Sequence, residues 1–305
     1  MMVKKLSKVR LERAGQFLCT EARALERAWY QYEFENGSDE AVWKELLAFQ
    51  NEDGGFGQGL EPDLRCKASS ALATTVALQH ASLLPPSEWK ETMIKDCFRY
   101  FAQTYQADKW GWEIIPQEAD QEPRANWWNY SEHSEHWGNP NAEILAYLLS
   151  YGHNANDELR SLSSKLLDYA LIYLQETCTR HEMHELFCFL RLYDELPAHA
   201  QKAVAEPMKQ FVMQSVVSNH EDRNGYCAVP LQVAASPTSR FYSLFAEAIP
   251  HDLDQLIDEQ SEQGTWGPNW AWGRYEEQWR AAKQEWTGII TLQNLRILKA
   301  YGRIE

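Results

Sequence analysis

The chain has 305 residues, of which 44% are hydrophobic and 24% charged, enough apolar material for a large core. That balance excludes a disordered or collagen-like protein. With 44 acidic against 29 basic residues the net charge is −15, which repels phosphate backbones and anionic lipid, so neither nucleic acid nor a membrane is expected as a partner.

The first fifteen residues are basic but carry no apolar stretch behind them, so no secretory signal is expected. No run approaches the roughly 18–20 apolar residues that cross a bilayer. Cys19, Cys66, Cys97, Cys178, Cys188 and Cys227 are scattered without a CxxC pair and read as reduced thiols of a cytoplasmic protein.

A long helical stretch is expected over Leu6–Glu35. A later helix ends at Leu46–Gln50, the turn Asn51-Glu52-Asp53-Gly54-Gly55-Phe56-Gly57 follows, and a new helix is expected from about Lys67. Leu72, Val76, Gln79 and Leu83 give that helix one face. The turn returns after Phe101–Gln106 as Asp108-Lys109-Trp110-Gly111-Trp112. The stretch Gln106–Asn141 is far longer than the usual connection of about 4–6 residues and reads as a functional insertion. Asn139-Pro140-Asn141-Ala142-Glu143 then resembles a helix entry, with Asn139 or Asn141 as cap and Glu143 in the first turn. Leu162, Leu166, Tyr169 and Tyr173 form another helical stripe, and a degenerate turn without glycines is expected over Leu171–His184. Further copies of the turn follow Val216–His220, as Glu221-Asp222-Arg223-Asn224-Gly225-Tyr226, and Leu256–Gln263, as Gly264-Thr265-Trp266-Gly267. A last stripe runs through Ile289, Leu292, Leu295, Leu298 and Tyr301. Strand alternation is nowhere sustained, so the chain reads as all-α.

The recurring unit is helix, polar residue, Asp/Gly turn, aromatic, helix, at intervals of about 40 to 56 residues. Glycine suits the positive φ that ends a helix, and the aromatic suits the seam between neighbouring hairpins, which cannot bury their apolar faces alone.

Gln50–Gly57 resembles the Q-x-x-D-G-G-F/W-G repeat of protein prenyltransferase β-subunits and is similar to the QW repeats of squalene and hopene cyclases. The resemblance implies a single domain over residues 1–305, an α/α toroid of five to six helical hairpins in an (α/α)6-like barrel, with a central cavity. The chemistry of those families is not carried over with the fold. The D-x-D-D acid of class II cyclases is absent. Asp63 and Cys66, the counterparts of the prenyltransferase zinc ligands, stand three apart rather than two. No cofactor is therefore expected, with zinc or calcium left open.

Five of the 13 tryptophans lie between Trp110 and Trp137 and five between Trp266 and Trp286. Tryptophan faces beside Glu, Asn and His suit a flat polyhydroxy ligand, so a small molecule or oligosaccharide is the expected partner. Trp112, Trp127, Trp128, Trp137 and Asn139 are the candidate binding residues of the insertion. Trp266, Trp270 and Trp272 are those of the last turn. Asp63, Glu113, Glu143 and Glu285 each follow a Gly/aromatic turn, and glycosidic hydrolysis needs an acid and a base across a cleft. Asp63, Glu113 and Glu143, with His136 as a proton carrier, are the candidate catalytic set. The spacing of His133 with His136, and of His181 with His184, puts each pair on one helical face, where a metal could sit. The expected activity is that of a carbohydrate hydrolase or lyase. The alternatives are prenyl or terpenoid chemistry, and a non-catalytic toroid that binds peptide.

Overall fold

The computed structural model describes residues 3–130, 136–223 and 225–305. His133, half of the first histidine pair, and Asn224 of the third turn lie outside the described residues. Among the described residues the chain is all-α. Its helices are α1 (Lys8–Thr20), α2 (Ala24–Phe34), α3 (Asp39–Leu47), α4 (Ala71–Ser82), α5 (Glu88–Thr104), α6 (Gly138–Ser150) and α7 (Asp157–Ile172). They continue with α8 (Met183–Glu195), α9 (Ala198–Ala203), α10 (Ala205–Ser215), α11 (Pro230–Val233), α12 (Tyr242–Phe245), α13 (Ile249–Asp258) and α14 (Glu276–Ala300). Backbone pairing outside helices, among the same residues, is confined to isolated bridges such as Gln50 with Phe56. No helix among them is long and apolar enough to cross a membrane.

The chain separates into two compact units, 1–45 with 216–305, and 46–215, where the sequence suggests one body. In the first unit the expected stretch Leu6–Glu35 is a hairpin of α1 and α2. Its N-terminal segment meets the C-terminus: the Leu6 N–H donates to the Arg303 carbonyl at 2.7 Å and the Glu305 N–H to the Leu6 carbonyl at 3.1 Å. The α14 stripe buries Leu292, Leu295 and Leu298, and Arg296 lies over the Trp29 ring at 4.6 Å while pairing with Glu33. In the second unit α6 packs along α8, with α4 and α7 beside it. The helix expected from Lys67 starts instead at Ala71, because the Ser70 hydroxyl caps it by accepting from the Ala73 N–H at 2.9 Å.

The turn copies share a hydrogen-bond plan that explains their sequence. In the first, Gln50 Nε2 donates to the Gly54 carbonyl at 3.1 Å, and the Phe56 N–H donates to Thr74 Oγ1 at 3.0 Å. In the last, Gln260 Nε2 donates to the Gly264 carbonyl at 2.8 Å, and the Trp266 N–H donates to Thr291 Oγ1 at 3.1 Å. Asn51 and Ser261 close the two turns identically: each N–H donates to a carbonyl four residues on, Gly55 and Thr265, at 2.9 Å. In the second copy the Trp112 N–H finds Asn141 Oδ1 at 2.8 Å. So in these three copies the aromatic's own N–H ties the turn to the helix that follows it. Thr74, Asn141 and Thr291 are the polar side chains spared for that purpose.

Two residues before the aromatic of the first, second and last copies the backbone is left-handed, at Gly54 (φ 94°), Trp110 (φ 53°) and Gly264 (φ 85°). The Gly54 requirement is double, because a Cβ there would lie 2.4 Å from the Asp96 carbonyl oxygen of α5. Gly54→Ala is expected to destabilise by about 2–3 kcal/mol. Gly225→Ala, also at positive φ but with nothing within 4 Å of a new Cβ, is expected to cost about 1 kcal/mol. Urea denaturation of both variants checks this; equal losses would remove the close approach as the cause.

Candidate functional site

The site assembles in the second unit where the start of α6 meets α8. The Asn139-Pro140 peptide is cis and Asn139 is not helical (φ −102°, ψ 109°), so the segment Trp137–Asn139 leads into the regular part of α6. Neither Asn139 nor Asn141 caps that helix. Asn141 instead donates Nδ2 to the Trp137 carbonyl at 2.7 Å and accepts from Trp112, binding the turn to the helix. Glu143 faces α8 rather than the helix terminus.

Two buried carboxylates, Glu143 on α6 and Glu185 on α8, sit at the centre, at 2% and 0% exposure. Each is surrounded by the same kinds of donor. Glu143 Oε1 accepts from Gln79 Nε2 and from the Tyr147 hydroxyl, both at 2.8 Å, and its other oxygen faces the Cys188 thiol at 3.6 Å. Glu185 Oε1 accepts from the Gly138 N–H at 2.8 Å and the Tyr173 hydroxyl at 2.7 Å, and its other oxygen faces the Cys178 thiol at 3.6 Å. The cationic neighbours differ. Arg191 Nε lies 3.4 Å from Glu143, and His136 Nδ1 lies 3.5 Å from Glu185 Oε2.

Burial, reinforced by the adjacent carboxylate, drives every hydroxyl and thiol of this cluster upward. Tyr147 and Cys188 stand well above their ordinary values through burial first and Glu143 second. Tyr173 rises through burial and Glu185, and Cys178 is pushed up to about 12 by the same pair of causes. All four therefore keep their protons at neutral pH and act as donors to the carboxylates. Burial is the largest influence on Arg191 and works against its charge, but Glu143, Tyr147 and Cys188 together more than compensate, and the guanidinium ends above its ordinary value.

His136 differs from its neighbours in being open. Its side chain is 37% exposed, while Nδ1 is buried and without a hydrogen-bond partner among the described residues. One imidazole edge is thus turned to a fixed, wholly buried carboxylate and the rest of the ring is reachable. Trp137, next in sequence, packs against Tyr169 at 4.9 Å and Tyr173 at 5.3 Å and donates Nε1 to the Trp110 carbonyl at 2.9 Å. Trp110 stacks face to face on Tyr169, with centroids 5.4 Å apart and planes 5° from parallel. A continuous aromatic run therefore leads from exposed Trp110 to the Glu185 cluster.

The other candidates fall elsewhere. Asp63 is buried beside the apolar cluster of Leu64, Cys66, Ile114, Ile115 and Ala119, and its carbonyl accepts from the Ala125 N–H. Cys66 is part of that cluster, and its thiol is pushed up by burial, which suits packing rather than zinc binding. Glu113 pairs with Lys109 and lies 3.4 Å from the Tyr130 hydroxyl. Trp112 and Trp266 are wall residues, at 5% and 6% exposure, with indole N–H groups given to the Phe101 and Leu256 carbonyls. Trp128 packs on the Leu64 cluster, while Trp127 beside it is 37% exposed. In the first unit Trp272 is buried against Trp279, and Trp270 meets Tyr226 and Trp286 edge-on at 5.1 and 5.2 Å.

Of the expected catalytic set, the structure brings His136 and Glu143 to one helix junction and places Asp63 and Glu113 in a different neighbourhood. Glu185, Tyr173, Arg191 and Trp110 were not singled out from sequence. Of the second histidine pair, His184 Nδ1 lies 2.6 Å from Glu182. Among the described residues, no three of His, Cys, Asp and Glu converge as metal ligands. Comparison with family models, with curated proteins and with solved structures returns no match.

Proposed function

We propose that this chain is a hydrolase of neutral saccharides in which His136, oriented by Glu185, transfers the proton. The observation that carries the reading is the 3.5 Å approach of a partly exposed imidazole to a carboxylate of 0% exposure. A carboxylate held by three donors gives the imidazole a fixed neighbour to turn toward, a setting that suits a general acid–base group. Glu143, satisfied by Gln79, Tyr147, Cys188 and Arg191, serves as framework rather than as a reacting group. A neutral sugar has no carboxylate to acidify a neighbouring C–H, so elimination is disfavoured. The step is then hydrolysis: the imidazole proton passes to the leaving glycosidic oxygen, water adds at the anomeric carbon, and its released proton restores the imidazole. The chain's net charge of −15 disfavours polyuronate substrates for the same electrostatic reason that it disfavours nucleic acid.

The proposed frame is the α/α toroid. Its support lies in the repeated turn plan and in two matching contacts. The Gly54 turn approaches the α5 backbone at Asp96, and the Gly264 turn approaches the α1 backbone at Arg13 and Ala14. The last turn thus lies against the first helix as the first turn lies against the second helix after it, the order expected of a ring.

His136→Ala tests the chemistry. Wild-type protein is expected to release reducing ends from at least one member of a panel of neutral gluco-, galacto- and manno-oligosaccharides. The variant is expected to be about 10²–10⁴-fold slower, with an unchanged circular dichroism spectrum and melting temperature. Full activity in the variant would exclude His136, and no turnover of any member by the wild type would end the hydrolase reading.

A further inference from the structure

We propose that Trp110 is the substrate-stacking subsite of this enzyme, holding a pyranose ring on the face turned away from Tyr169; the proposal rests on the saccharide reading above. Three observations meet at this residue. First, Trp110 is 40% exposed, whereas Trp112, two residues on, is buried. Second, its ring is not loose. One face is covered by Tyr169 in a near-parallel stack, and its carbonyl is held by the Trp137 indole, so a flat surface is presented in a fixed orientation. Third, its backbone is left-handed at φ 53°, in the place where the first and last turn copies use Gly54 and Gly264.

That third observation decides between packing and function. The fold needs a residue able to take positive φ here, and glycine does so without strain in the two sister turns. A bulky aromatic in that conformation is an outlier that the turn itself does not require. The second copy is also one residue longer, since the Gln106 N–H reaches the Gly111 carbonyl five residues on, against four residues from Asn51 to Gly55. Local strain retained at an exposed aromatic, where two related turns show the unstrained solution, points to use of that side chain by a ligand.

The surroundings select the ligand class. Lys109 and Glu113 pair in the same turn, and the Tyr130 hydroxyl approaches Glu113 at 3.4 Å. A sugar ring offers an apolar C–H face to an indole and a rim of hydroxyls to such a polar border. The Trp137 indole links the Trp110 carbonyl to the residue next in sequence to His136, the proposed proton-transfer group.

The test compares wild type, Trp110→Gly, Trp110→Phe and His136→Ala, titrated with the same panel of neutral oligosaccharides by isothermal calorimetry, with melting temperatures measured in parallel. Trp110→Gly is expected to melt no lower than wild type, since it restores the residue used in the sister turns, yet to bind at least ten-fold more weakly. Trp110→Phe, which keeps a flat ring, is expected to retain most of the affinity. His136→Ala is expected to bind normally and to fail only in turnover. If Trp110→Gly melts several degrees lower and binds as the wild type does, Trp110 is a packing residue and the inference fails while the hydrolase reading stands. If His136→Ala remains active while Trp110→Gly loses binding, the platform stands and the proton-transfer assignment fails. If the wild type binds no saccharide, both fall.

Discussion

Replacing Glu185 with alanine is expected to destabilise the 46–215 unit by about 3–5 kcal/mol, the cost of stripping a buried charged acceptor from its donors. The carboxylate is wholly enclosed and receives the Gly138 N–H, the Tyr173 hydroxyl and the Cys178 thiol. Removing it leaves two strong donors and a thiol in a space too closed for bulk water to satisfy them. It also opens a void beside Gly138, where Phe189 and the Glu185 side chain already stand closer than a Cβ would allow. Glu185→Gln keeps the volume and one carbonyl oxygen for the Gly138 N–H and the Tyr173 hydroxyl, but puts a neutral NH2 where the second carboxylate oxygen faced Cys178 and His136. Its expected loss is smaller, about 1–3 kcal/mol. Urea denaturation gives the ranking alanine, then glutamine, then wild type in rising stability. If alanine is tolerated within about 0.5 kcal/mol, the range of ordinary surface substitutions, the carboxylate is not the keystone of the α6–α8 junction. The same pair of variants addresses catalysis. Glu185→Gln should cut turnover while leaving His136 in place, because the imidazole loses the charge that orients it.

The all-α class was legible because the apolar stripes step by three and four, and because the Gln–turn–aromatic unit repeats. The structure gives that unit one hydrogen-bond plan in its first and last copies, through Gln50 and Gln260, Gly54 and Gly264, Phe56 and Trp266. The site was legible only in part. His136 and Glu143, the two expected residues that meet at the α6–α8 junction, each stand in or beside the long insertion. Glu185 carries a signal of its own in the spacing of α8. Glu185, Cys188, Phe189 and Leu192 follow the 3–4–7 spacing of a buried face, so an acidic residue occupies an apolar position of α8. A carboxylate there must be paired or hydrogen-bonded, and that requirement marks it for attention. Trp110 was missed for a related reason. It stands two before the aromatic of its turn, where the first and last copies carry glycine, and its sequence neighbourhood of tryptophans masks that place. Which indoles are walls and which are open could not be read from spacing. Trp112 and Trp266 are buried because their N–H groups reach carbonyls ten or eleven residues back along the chain, a contact that depends on how the turn folds over the preceding helix.

The thiols and phenols buried in the second unit give the protein an expected weakness in alkali. Cys97 and Cys188 are held above their ordinary value of 9.0 by burial, with Asp96 adding to the first and Glu143 to the second. Tyr147 is held well above 10.0 by burial and then by Glu143. The sign follows from proton counts. Once the pH passes 9, the unfolded chain releases the two cysteine protons that the folded chain retains, so the native state binds more protons and stability must fall as pH rises. The contribution is fully present below pH 9 and is lost on the way up to the folded values. Each retained proton contributes a limiting slope of about 1.4 kcal/mol per pH unit, only half reached at pH 9, so these two cysteines alone remove roughly 2 kcal/mol between pH 9 and 10 and about 2.5 more by pH 11. Tyr147 steepens the fall above pH 10. Against a total stability on the order of 5–15 kcal/mol, that loss brings the unit close to unfolding near pH 11. Urea titrations at half-unit steps from pH 7.5 to 10.5, under reducing conditions, measure the slope directly. Cys188→Ser retains a hydroxyl donor to Glu143 but cannot ionise in this range, so its slope should be shallower by about one proton. Cys97→Ala should remove the other while lowering stability uniformly through the cavity it leaves. A flat profile in the wild type, or equal slopes in all three proteins, would mean that these thiols titrate in the folded state as they do in water and that the α5–α6–α8 interior is open to solvent.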